Sequence, residues 1–281
     1  MTRLYEKAAR AAIAVCIKSL IGLLVRNRLS TIYKIGRDGA AASFEGNWYT
    51  YDPDQYGATG NVDFVREAED TTRSKLKRLI RPSEVFYDVG AHGGVYTISM
   101  KREHPDLEVH SFEPQPEELL KNLALNDLGR ENVHAVAVGD VAGIVKMTTG
   151  RRSSNHVSAN GELAVRCVRL DDFAFEQGIR APDWVKIDIE GLELAALRGT
   201  SRLLRESQPT IICEINHLFD RFGATMPDFA AFLRDHGYSI YRLEEDCLAA
   251  VTRTDSREDL GYSADWNFWF VHDCKKMSVL G

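Results

Sequence analysis

The stretch Val85-Phe86-Tyr87-Asp88-Val89-Gly90-Ala91-His92-Gly93-Gly94 constrains this chain more than any other part of it. An apolar run ends in an acid and a glycine-rich turn, and helical periodicity follows from Gly94 to about His104. A strand, a tight turn and a helix in that order open a parallel sheet. The alternation then continues. Glu108–Phe112 reads as a strand, Pro116–Leu128 as a helix and Asn132–Val138 as a third strand. Later come a strand at Trp184–Ile189, a helix at Leu192–Arg205, a strand at Thr210–Ile215 and a helix at Met226–His236, with closing strands at Tyr238–Leu243 and Asn267–Val271. The pattern predicts an α/β fold with a mostly parallel sheet covered on both faces. Residues 140–170 interrupt it as an inserted hairpin, Gly143–Thr149 and Leu163–Leu170, whose polar loop Arg151–His156 is either solvated or reaches over the cleft. Trp266–Phe270 reads as a core strand packing aromatics rather than as a sugar platform.

The residues before this unit differ in chemistry. Residues 1–30 carry six basic side chains (Arg3, Lys7, Arg10, Lys18, Arg26, Arg28) against the single acid Glu6, in a chain of net charge −6. They read as a basic amphipathic helix that either packs on protein or lies on an anionic membrane surface. The apolar stretch from Ala11 to Val25 is too short for a transmembrane helix, is interrupted by Lys18, and lacks a small-residue cleavage site, so a cytoplasmic protein is expected. Turn signals in residues 31–60 predict one or two hairpins, and a helix is expected from Val62 to about Arg81, stopped by Pro82. The expected division is an extension over residues 1–60 and one catalytic domain over 61–281. The acidic balance excludes general nucleic-acid binding. Five scattered cysteines, none at metal or redox spacing, read as reduced thiols, with Cys213 a small core residue.

Three strand ends carry chemistry. The turn Gly90-x-x-Gly93-Gly94 lets a ligand approach the backbone closely, yet it fits the dinucleotide fingerprint poorly. Asp88 would repel a pyrophosphate and suits a cationic ligand. Glu113, 25 positions on at the end of the next strand, is placed to accept hydrogen bonds from both hydroxyls of a ribose, the alternative being a solvated helix-capping acid. In Lys186-Ile187-Asp188-Ile189-Glu190 the period of two puts the three ionisable residues on one face, which is costly unless they pair or line a cleft. Asp188 and Glu190 could also meet Glu214, Asn216 and His217 around one Mg²⁺, although Asn216 and His217 could equally cap the next segment.

These residues resemble the FkbM family of S-adenosylmethionine-dependent methyltransferases, a branch of the seven-stranded Rossmann-like class. Four stretches carry the resemblance: Asp88–Thr97; Phe112-Glu113-Pro114 with Asn122 and Asn126; Val185–Glu193 with Leu197-Arg198-Gly199; and Pro209–Glu214. His92 and Gly93 stand where the family commonly has asparagine and a bulky apolar residue. The resemblance implies a cofactor site formed by Asp88, Gly90, Ala91, His92, Gly94, Thr97, Glu113 and Val138, with S-adenosyl-L-methionine as the cofactor. It also implies O-methylation of a sugar, glycoconjugate or other small natural product. Asp188 is the candidate for orienting the cofactor amino group or the acceptor, and Glu190 for the base. Two other readings stand beside it: a non-catalytic cofactor-binding protein attached to a membrane or partner through residues 1–30, and a nicotinamide oxidoreductase, which the turn disfavours.

Overall fold

A computed structural model describes residues 33–36, 39–44, 46–51, 70–149, 156–158, 160–261 and 266–280. The expected helix over residues 1–30 lies outside the described residues, as do the start of the helix expected from Val62 and most of the loop Arg151–His156. Two compact units divide the chain at residue 68. The first contains β1 (Tyr33–Gly36), β2 (Gly39–Phe44) and β3 (Asn47–Tyr51), an antiparallel three-stranded meander in the segment expected to hold hairpins.

The second unit begins with α1 (Asp70–Leu79), β4 (Val85–Val89), α2 (Val95–Glu103), β5 (Glu108–Phe112), α3 (Glu117–Leu125) and β6 (Val133–His134). It continues through β7 (Ala137–Val138), β8 (Gly143–Met147), β9 (Leu163–Val168), α4 (Leu170–Gln177) and β10 (Trp184–Ile187). It closes with α5 (Glu193–Arg198), α6 (Ser201–Glu206), β11 (Thr210–Glu214), α7 (Met226–Asp235), β12 (Tyr238–Glu244), β13 (Cys247–Ala250), β14 (Asn267–His272) and α8 (Lys276–Leu280). The main sheet runs β13-β12-β14-β11-β10-β4-β5-β6. Strands β11, β10, β4, β5 and β6 are parallel, while β14 enters antiparallel between β11 and β12. The Rossmann-like α/β class is therefore observed.

Side-chain alternation builds the two faces. Val85, Tyr87, Val89, Val185, Ile187, Ile211, Cys213, Phe268 and Phe270 join one buried cluster. Phe86, Trp184, Ile212, Trp269 and Val271 join the other. Asn267 through Phe270 are buried, as expected for a core strand, whereas Trp266 departs from that expectation: it precedes β14 and is 44% exposed.

Several expected elements are corrected. There are eight main-sheet strands rather than seven, because β12 turns at Glu245, with φ +52°, into the short edge strand β13. The strand expected over Asn132–Val138 splits, since a turn closed by Val136 N–H on the His134 carbonyl at 2.9 Å breaks it. Its second half, β7, pairs with β9 in a separate sheet ordered β7-β9-β8. The strand expected to reach Leu170 stops at Val168, where α4 begins. That helix was missed, although Asp171 and Asp172 in its first turn were its signal. The helix expected over Leu192–Arg205 is two helices. Gly199 lies between them against the Gly139 backbone, where a Cβ would come within 2.0 Å of the Gly139 carbonyl oxygen.

The chain order places β4 beside β10 with β5 and β6 on one side and β11 on the other, so the topological switch point lies between the ends of β4 and β10. Gly90 makes the junction tight: its φ is +85°, and a Cβ there would lie 1.8 Å from the Asp188 carbonyl oxygen. Gly90→Ala is expected to lower stability by on the order of 2–4 kcal/mol, seen as a lower urea midpoint at unchanged m-value. An unaltered midpoint would mean that the two strand ends do not approach so closely.

Candidate active site

The switch point gathers nearly all the residues singled out in the sequence. After β4 the chain turns through Gly90, His92 and Gly94, whose φ values of +85°, +46° and +83° are left-handed. Gly90 and Ala91 donate their N–H groups to the Phe112 carbonyl at the end of β5, at 2.9 and 3.3 Å. Buried Asn122 on α3 holds the turn from outside, donating from Nδ2 to the Gly93 carbonyl at 2.7 Å. Its own carbonyl accepts from Asn126 Nδ2 at 2.7 Å. The two asparagines thus brace the turn.

Asp88 is buried at the end of β4. Its Oδ2 accepts from the Thr97 backbone N–H at 3.0 Å and from Thr97 Oγ1 at 2.6 Å, and that hydroxyl also bonds Ser111 Oγ at 2.7 Å. Burial pushes the Asp88 carboxyl up to about 6, against the lowering effects of Thr97 and of the Lys186 charge. Thr97 therefore fixes Asp88 from the first turn of α2. Glu113 lies just past β5, with Oε2 accepting from His92 N–H and Oε1 from Gln115 N–H, each at 2.9 Å. Burial raises its carboxyl above the usual range, against those two N–H groups. Each oxygen accepts one backbone bond and keeps capacity for another, as two vicinal hydroxyls require. Val138 is 4% exposed within the core, so only its backbone could meet a ligand.

On β10, Lys186 is 1% exposed. It lies across from Asp88 in register, over the Tyr96 ring at 5.2 Å, with Nζ 3.3 Å from Asp188 Oδ2. Burial alone would raise the Asp188 carboxyl, but the Lys186 charge and a hydrogen bond with Glu214 hold it below its ordinary value. Asp188 is thus a fixed anion.

Glu190 departs from the alternation expected of it. The strand ends at Ile187, and Glu190 adopts φ +59°. Glu193 causes this bracket: its Oε1 accepts from the N–H groups of Ile189 at 3.3 Å and Gly191 at 3.0 Å, on either side of Glu190. Burial, then the charges of Asp188 and Glu193, push the Glu190 carboxyl up to about 7, while a hydrogen bond with Asn216 and the Arg221 charge oppose the rise. A carboxyl tuned to that value suits general-base work near neutral pH.

The residues weighed as a Mg²⁺ set have other partners. Asn216 donates from Nδ2 to Glu214 Oε2 at 2.8 Å, and its Oδ1 accepts from Leu218 N–H at 2.7 Å, so it caps the following turn. His217 is exposed. Among the described residues no three His, Cys, Asp or Glu side chains group as a metal site. Sequence reasoning missed Glu193 and Arg221. An acid in the first turn of the helix after the strand was a signal for Glu193, whereas nothing local marked Arg221.

Residues 88–240 match the Methyltransferase FkbM domain family. The chain is 28% identical to 31-O-demethyl-FK506 methyltransferase FkbM of Streptomyces tacrolimicus, over 69% of this chain and 87% of that protein. It is 23% identical to 2-O-methyltransferase NoeI of Sinorhizobium fredii, over 48% of this chain and 65% of that protein. To hexuronic acid methyltransferase AglP of Haloferax volcanii it is 24% identical, over 54% and 64%.

A carboxyl that titrates near 7 when folded, against 4.5 ordinarily, binds its proton more tightly in the folded chain. The stability this adds is complete below about 4.5 and is lost as pH rises through about 7. Wild-type stability should therefore fall relative to Glu190→Gln across that window. Urea midpoints of the two proteins that run parallel from pH 4 to pH 8 would show that the carboxyl is not buried as described.

Proposed function

This chain belongs to the FkbM family of methyltransferases, and from that premise we propose that it moves the methyl group of S-adenosylmethionine onto a hydroxyl of a sugar, glycoconjugate or other small natural product. The observation that carries the reading is Glu190, a carboxyl held at the switch point and raised to about 7, next to a turn with ribose-binding chemistry. The relatives named for O-methyl transfer and for a hexuronic acid support an oxygen acceptor on a small molecule or saccharide. A non-catalytic binding protein is not favoured, since family and relatives are methyltransferases.

The residues present fit the cofactor. Glu113 offers one unfilled acceptor position on each oxygen, the Gly90–Gly94 turn brings backbone rather than side chains to the cleft, and Asp188 is a fixed anion suited to a cationic ligand. When bound, S-adenosylmethionine supplies a methyl group on a positively charged sulfur. Glu113 binds the ribose hydroxyls and Asp188 orients the cofactor amino group or the acceptor. Glu190, held by Asn216 and the Glu193 bracket, would take the acceptor hydroxyl proton on a carboxylate oxygen as the methyl group passes from sulfur to oxygen, S-adenosylhomocysteine being the leaving group. Holding oxygen and methyl in line supplies much of the acceleration.

Calorimetric titration with S-adenosylhomocysteine tests the reading. Micromolar binding, about −8 kcal/mol, is expected, with loss of binding in Glu113→Ala and none of NAD. Glu190→Gln should keep that affinity while turnover falls by about a hundredfold or more. Absence of S-adenosylhomocysteine binding by the folded wild type would refute the proposal.

A further inference from the structure

Among the described residues, two large aromatic side chains remain exposed at the end of the sheet where Glu190 sits. Trp266 is 44% exposed and Phe222 43%, although Phe219, Phe229, Phe268 and Phe270 close by in the chain all pack into the core. Trp266 has φ +55°, a region that bulky residues seldom occupy and that marks functional strain when the surroundings enforce it. Its carbonyl accepts from Ile215 N–H at 3.0 Å, which ties it to the end of β11 beside Asn216, the residue that bonds both Glu214 and Glu190. Phe222 lies in the turn after Asn216, closed by Arg221 N–H on the Leu218 carbonyl and Gly223 N–H on the Asp220 carbonyl, both at 3.0 Å. That turn backs directly onto Gly191: a Cβ there would meet the Leu218 carbonyl oxygen at 2.4 Å and Arg221 Cβ at 3.5 Å. Trp266 is thus anchored by backbone to the end of β11, beside the Asn216 that bonds Glu190, and Phe222 lies in the turn that packs against Gly191.

We propose that Trp266 and Phe222 are the acceptor-recognition residues of this site, taking the C–H face of a neutral pyranose ring whose reacting hydroxyl meets Glu190. The inference rests on the methyltransferase reading above. A pyranose suits this place because it joins an apolar face, which indole and phenyl rings bind well, to a rim of hydroxyls, which Glu190, Glu214 and Asn216 can bind. Asp188, held as an anion, disfavours a ring carrying negative charge near its reacting hydroxyl.

The test uses the full chain loaded with S-adenosylhomocysteine and a set of methyl pyranosides (glucoside, galactoside, mannoside, fucoside and rhamnoside). Binding is read by saturation-transfer NMR and turnover with radiolabelled S-adenosylmethionine. At least one glycoside should bind and be methylated. Trp266→Ala and Phe222→Ala should each raise its KM by about tenfold, with S-adenosylhomocysteine affinity and kcat little changed, and Trp266→Phe should recover most of the loss. A variant that no longer binds S-adenosylhomocysteine is misfolded, and the other alanine variant with Trp266→Phe then decides the matter. An unchanged KM in the folded variants, or no glycoside bound by wild type that binds S-adenosylhomocysteine, overturns the inference. Failure of wild type to bind S-adenosylhomocysteine defeats the underlying reading instead.

Discussion

The buried ammonium of Lys186 is the interaction on which the site depends. Itself sealed from solvent, it stands between two carboxyls, buried Asp88 across the strand pair and partly exposed Asp188 two residues on. Isolated, the charge of Lys186 or of Asp88 would be too costly to bury. Together they let the central strands end in ionised groups without opening the core to water. The balance is uneven, and the uneven part is informative. Asp188 is held as an anion, whereas burial lifts Asp88 to about 6 despite Lys186 and Thr97. One cation thus serves one carboxylate well and another only partly.

Around this charge centre the backbone is folded tightly by hydrogen bonds from neighbouring helices. Asn122 grips the Gly93 carbonyl, Thr97 grips Asp88, and Glu193 grips the N–H groups on either side of Glu190. Each grip comes from a helix that packs on the sheet, so loop geometry is inherited from the core. The candidate base owes its placement to this arrangement, since Glu193 Oε1 accepts from the N–H groups on either side of it, and its raised affinity for a proton first to burial and then to the charges of Asp188 and Glu193.

Much of this was legible in the sequence because it is local. The two faces of the sheet follow from alternation in Val85–Val89 and Trp184–Ile187, and the site residues sit at strand ends where an α/β fold puts its ligands. What was not legible depends on contacts between distant segments. Alternation put Glu190 on the same face as Lys186 and Asp188, but Glu193 turns it out of the strand into a left-handed conformation. Thr97 gave no sign that its hydroxyl is engaged by Asp88, and Arg221 approaches Glu190 only through the turn that follows β11. The split of the third strand was hidden too, because its residues favour extended structure on both sides of Ala135 and only the second sheet decides where each half pairs.

The pairing of β4 with β10 also sets the order in which the molecule can be built. Val85 bonds Asp183 across 98 positions, whereas β4, β5 and β6 are linked by short helical crossovers. Closing so long a loop costs more chain entropy than the earlier crossovers do. During synthesis a nascent chain can therefore complete the turn and Glu113 while the acid tip of β10 is still unmade. The residues of the candidate site therefore leave the ribosome in two groups, Asp88 to Glu113 well before Lys186 to Glu190.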